Sequence, residues 1–78
     1  MNYDQIIDEI LLFAKTKNER DYNGGYIVNL NSLIRQFSNK YPDLDQRPIY
    51  EMIDEIEARG WLLKRDSSML VFDPATFS

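Results

Sequence analysis

Seventy-eight residues allow one small hydrophobic core, and 44% apolar with 13% aromatic content is the composition of a folded chain, not a disordered one. The chain contains no Cys, which removes disulfides and thiolate metal sites, and no His, which removes the commonest general base and metal ligand. Thirteen acidic against nine basic residues give a net charge of −4, a balance that repels phosphate at long range unless local patches override it.

Tyr3, Ile6, Ile7, Ile10, Phe13 and Ala14 recur at helical spacing and predict a helix from Asn2 to about Lys17. The polar stretch Lys17 to Gly25 reads as a loop, and Tyr26-Ile27-Val28 as a brief strand. Asn31 is the expected N-cap of a second helix whose apolar stripe is Leu30, Leu33, Ile34, Phe37 and Tyr41, stopped by Pro42. A short connection leads to Asp45, which can cap a third helix that tolerates Pro48 in its first turn. Ile49, Met52, Ile53 and Ile56 form its buried face, and Gly60 supplies a left-handed stop. Trp61 to Arg65 and Met69 to Phe72 then pair as a hairpin around Asp66-Ser67-Ser68, with Leu62 expected across from Val71. The tail from Pro74 to Ser78 is expected to be loosely held, although Phe77 has the means to pack back.

The longest apolar run, Ile10 to Ala14, is far short of the roughly 20 residues that span a bilayer. The N-terminus shows no basic region followed by an apolar one, so no signal peptide is expected. A single domain over residues 1–78, cytoplasmic and without a membrane partner, is the expectation.

The order helix, short strand, helix, helix, two-stranded hairpin resembles the winged helix-turn-helix superfamily over about Tyr3 to Asp73. The most specific part is Arg47-Pro48-Ile49-Tyr50 followed by Ile53, Ile56, Glu57, Gly60, Trp61 and Leu62. It is similar to the third-helix pattern of bacterial and archaeal winged-helix repressors, in which a leucine-glutamate pair and a glycine precede an apolar strand; Ile56-Glu57 stands at that pair. The resemblance implies an α+β fold of three helices with a small antiparallel β-hairpin wing. Two departures from that pattern are expected from these 78 residues: no dimerisation helix and no ligand-sensing domain after the wing.

Under that resemblance the chain is a small DNA-binding regulatory protein of transcription. The third helix would enter the major groove and the wing would contact the backbone. Arg47 and Tyr50 lie one turn apart on the outer side of the third helix, with Arg47 able to reach a guanine edge. Lys64 and Arg65 on the wing would neutralise phosphates, and Arg35 and Lys40 complete the candidate nucleic-acid surface. The charge pattern supports an alternative. Asp45 to Gly60 holds five acids against two bases, and Glu51, Asp54 and Glu55 lie on exposed faces of the same helix. With Tyr50 they would form an acidic face for a basic protein partner, in a module of phage or mobile-element style. Both readings compete with plain solvation of helix charges, as in an i,i+4 pair of Glu55 with Arg59.

No nucleophile–base pair and no metal-ligand spacing is present, so neither an enzyme nor a cofactor is expected. Asn23-Gly24-Gly25 lacks the spacing of a phosphate loop, and Asp43-Leu44-Asp45 lacks the glycine and terminal glutamate of a calcium loop. Tyr3, Phe13, Phe37, Tyr41, Trp61 and Phe72 are assigned to the core, and Tyr22, Tyr26 and Tyr50 to partial exposure. Leu11 or Leu12 is surplus to one helix face and is the expected contact of a homodimer.

Overall fold

The computed structural model describes residues 1–78, folded as three helices and a three-stranded antiparallel sheet. Helix α1, Tyr3–Lys17, opens on a capping box: Asn2 Oδ1 accepts from the Gln5 N–H and Gln5 Oε1 from the Asn2 N–H, both at 2.8 Å. It closes on Asn18 in the left-handed conformation (φ 50°), a shape asparagine tolerates better than most residues. The face it buries is Ile6, Ile7, Ile10 and Ala14, as its spacing predicts.

The segment between α1 and the first strand is a tightly bonded turn. The Asp21 N–H donates to the Gly25 carbonyl and the Asp21 carbonyl accepts from the Gly24 N–H, both at 3.0 Å, while Asp21 Oδ1 accepts from the Asn23 and Gly25 N–H groups at 2.9 and 2.8 Å. Arg20 donates to the Gly24 carbonyl at 2.8 Å and stacks on Tyr26, its guanidinium 3.8 Å from the ring centroid. Gly25 is required by space: a Cβ there would lie 2.6 Å from Val71 Cγ1.

Strand β1 is Tyr26–Asn29 and α2 follows at once over Leu30–Lys40. The cap of α2 is Asn29, whose side chain accepts from the Ser32 N–H at 3.0 Å, and not Asn31 as its sequence suggests. Asn29 ends the strand in extended backbone, so its side chain can reach forward three residues, while Asn31 is already inside the first turn. Helix α3, Gln46–Ala58, is capped by Asp45, which accepts from the Arg47 N–H at 3.2 Å. At its far end the Gly60 N–H donates to Glu57 O and the Trp61 N–H to Ile56 O, the paired bonds of a Schellman stop. Gly60 has φ +77° and nothing within 4 Å of a notional Cβ, so backbone conformation alone requires the glycine.

Strands β2, Leu62–Arg65, and β3, Met69–Phe72, form the hairpin, and the sheet order is β1-β3-β2. The expected Leu62–Val71 pairing is not what forms. Leu62 sits across from Phe72 and Lys64 across from Val71, because a bulge at Leu63 shifts the register. Asp66 closes the turn, its carboxylate accepting from the Ser68 and Met69 N–H groups at 2.8 Å. Ser68 O in turn accepts from the Leu30 N–H at 3.0 Å, which ties the hairpin turn to the start of α2.

One core joins all of these elements: Ile6, Ile10, Leu33, Ile49, Ile53, Ile56, Leu70 and Phe72 are at most 1% exposed. The tail departs from expectation. Pro74–Phe77 forms a 3₁₀ turn, and Phe77 packs on Tyr26 and Phe72 with ring centroids 4.4 and 5.9 Å apart. Tyr3 departs too, being 55% exposed despite its place on the apolar stripe of α1. At the first position of the helix it extends past the end of the core and turns its hydroxyl to α3. Leu11 packs against the core periphery and Leu12 is exposed. No helix is long and apolar enough to cross a membrane.

Candidate docking surface of the third helix and hairpin

The buried face of α3 leaves Arg47, Tyr50, Glu51, Asp54 and Glu57 outward, and all five are exposed. Arg47, Tyr50 and Asp54 are spaced i, i+3, i+7 and therefore form one stripe along the helix. Because the Schellman stop reverses the chain directly into β2, the hairpin runs back beside this stripe. Leu63, thrown out by the bulge, is 57% exposed, and Tyr50 is 41% exposed.

The hairpin touches the helix through Arg65. One guanidinium nitrogen, Nη1, donates to Asp54 Oδ1 at 2.7 Å and to Glu57 Oε1 at 2.9 Å. The Asp54 carboxylate holds the guanidinium protonated still more firmly than usual, with Glu57 adding to it and partial burial opposing. The other two helix carboxylates are also engaged. Glu51 accepts from the Tyr3 hydroxyl at 3.1 Å, which pushes the phenol above its ordinary pKa of 10.0. Glu55 pairs with Arg59 at 3.1 Å across one turn, as expected from its spacing. Asp66 is held below 3.8 by the bonds it accepts from Ser68, backbone first and hydroxyl second.

The six residues expected to meet DNA are thus divided. Arg47 and Tyr50 share the outer stripe of α3, and Arg65 reaches it only as the partner of two carboxylates. Lys64 is exposed on β2 and forms no ion pair. Lys40 points to α1, where its ammonium bonds both oxygens of Glu9 at 3.0 and 3.1 Å, and that bond raises its pKa. Arg35 is exposed on α2 and unpaired. The acidic set Glu51, Asp54 and Glu55 lies on α3 with Tyr50 as expected, although each carboxylate carries an intramolecular partner. Sequence spacing missed Leu63 and Tyr3 as parts of this surface. A bulge and a contact across 48 residues leave no periodic signal.

From Asp45 to Asp66 there are six carboxylates against four cations, so the surface stays acidic after its internal pairing. No three Asp or Glu side chains converge as a metal-ion cage. The chain matches no protein-family model, no curated protein and no solved structure.

Proposed function

We propose that the chain is a winged helix-turn-helix domain used as a protein-interaction module, docking a basic partner through α3 and the hairpin wing. The observation that carries this reading is the pair of hydrogen bonds that Arg65 donates to Asp54 and Glu57. One of the two wing cations, Arg65, is spent on the third helix itself, which leaves Lys64 as the only wing cation without an ion pair. A DNA backbone would have to displace Arg65 and then face the two carboxylates so released. A basic protein segment meets the same surface with complementary charge, which sets orientation and encounter rate. Tyr50 on α3 and Leu63 on β2 supply exposed apolar surface. Fold alone does not decide function, so the charge of the site outweighs the habit of the superfamily.

One observation favours DNA as a second reading: Arg35, Arg47 and Lys64 are exposed and free of ion pairs. Two measurements separate the readings. A photo-crosslinking residue in place of Arg47, exposed on the same stripe of α3, should capture a basic protein in the native cell, and Glu51→Lys should abolish that capture. Binding to random duplex DNA at low salt that falls steeply as salt rises would instead establish the second reading and refute the first. Under that outcome Arg47→Ala weakens binding and Glu51→Lys strengthens it.

A further inference from the structure

The turn between α1 and β1 carries chemistry that the α3 surface does not use. Its tip is open to solvent: Tyr22 is 98% exposed, and Asn23 beside it is exposed as well. The Asn23 N–H is bonded to Asp21 Oδ1, but the Asn23 side-chain carboxamide has no hydrogen-bond partner. Gly24 follows, so no Cβ crowds the peptide nitrogen that can close a ring on the carboxamide carbon. Each of the other five asparagines precedes a residue with a side chain. Asn2, Asn18 and Asn29 also hold their carboxamides in hydrogen bonds, and Asn31 and Asn39 are fixed within α2.

We propose that Asn23 is a self-modification site, at which the folded chain loses ammonia and gains a carboxylate. The Gly24 nitrogen, losing its proton to hydroxide, bonds to Asn23 Cγ. The carboxamide C–N bond breaks, and its nitrogen leaves as ammonia with a proton taken from water. Water then opens the succinimide ring. Cleavage of the new Cγ–N bond leaves aspartate; cleavage of the original peptide C–N bond leaves isoaspartate, with one more carbon in the main chain. A single contact restrains the first step: the Gly24 N–H donates to the Asp21 carbonyl at 3.0 Å, and that bond must open before the nitrogen attacks. The isoaspartyl product lengthens the loop that Asp21 and Gly25 close, and sets a second carboxylate two residues from Asp21. Gly25 is pressed against Val71, where even a Cβ would lie 2.6 Å away, so the turn cannot absorb the extra carbon there. The Asp21 bonds are lost instead. The site is separate from the α3 surface and does not depend on its role.

The test is incubation of the full chain at mildly alkaline pH, followed by intact mass and peptide mapping, beside a sample unfolded in urea. Exchange of an amide for a carboxylate adds one mass unit. That gain should appear first in the peptide carrying Asn23, at a rate that follows hydroxide concentration. Opening one backbone hydrogen bond should slow the folded chain about two- to tenfold relative to the unfolded one. Asn23→Gln, whose longer side chain closes its ring far more slowly, should abolish this first gain; the position is exposed and the variant folds as the parent does. In the isoaspartyl fraction, amide exchange protection at Asp21, Gly24 and Gly25 should disappear. A first gain at another asparagine, or an unchanged gain in Asn23→Gln, would overturn the proposal. So would a folded chain that stays unmodified while the unfolded one converts completely, or full protection of the turn in the isoaspartyl fraction.

Discussion

Replacing Arg65 by Met keeps an unbranched stem of similar reach and removes the guanidinium from Asp54 and Glu57. The side chains of the two acids are 67% and 53% exposed, against 26% for the arginine, so solvent screens both pairs on the acid side. Exposed ion pairs contribute about 0.2–1 kcal/mol each, and a middle value for two such pairs gives about 1 kcal/mol. In a domain of this size that corresponds to a fall in Tm of about 4–8 °C, read by thermal unfolding at low ionic strength. The loss should shrink toward zero in about 1 M salt, where the Debye length is about 3 Å. A double-mutant cycle with Asp54→Asn should return a coupling of about 0.5 kcal/mol. If Arg65→Met melts with the parent at low salt and the cycle is additive, the hairpin is not clasped to α3. The case against a phosphate role for Arg65 then fails with it.

Gly25→Ala forces a Cβ to within 2.6 Å of Val71 Cγ1 and 3.2 Å of Asp21 Oδ2. Val71 is buried in the central strand and cannot withdraw, so a loss of about 1–3 kcal/mol is expected in chemical denaturation. Adding Val71→Ala should recover part of it, and strict additivity would show that the clash is relieved elsewhere. Asp66 gives a pH signature: its folded pKa lies below the unfolded value, so its contribution is complete above that value and is lost as pH falls through the folded one. Stability of the parent between about pH 5 and pH 2 should therefore fall more than that of Asp66→Asn, and parallel curves would refute the turn's role. Tyr50→Ala should change stability by less than about 0.5 kcal/mol, since the side chain is partly solvated, yet should remove partner capture. Retained capture would move the docking surface off α3.

The helices were legible because each carries its signal within its own residues. Asp45, Pro48 and Gly60 mark the ends of α3, and Ile49, Met52, Ile53 and Ile56 mark its buried face, all by local spacing. The cap of α2 was misread for a related reason. Asn29 and Asn31 are chemically equal, and only the point at which β1 hands over to α2 decides which one caps. Of the candidate site, Tyr50 and its acidic neighbours were readable as an outward stripe. The pairing states were not, because Lys40 with Glu9, Tyr3 with Glu51 and Arg65 with Asp54 are contacts between elements.

By itself the amino-acid order determined three amphipathic helices, the turn residues that stop them and an excess of carboxylates on the third. Those properties follow from periodicity, backbone freedom and charge along a single element. Tertiary structure decided that β1 joins β3 and that the bulge turns Leu63 outward. It likewise decided that Phe77 closes the sheet end and that Arg65 is consumed by α3. Each of these depends on which surfaces meet when the shared core forms, and the distance along the chain between the partners carries no record of it.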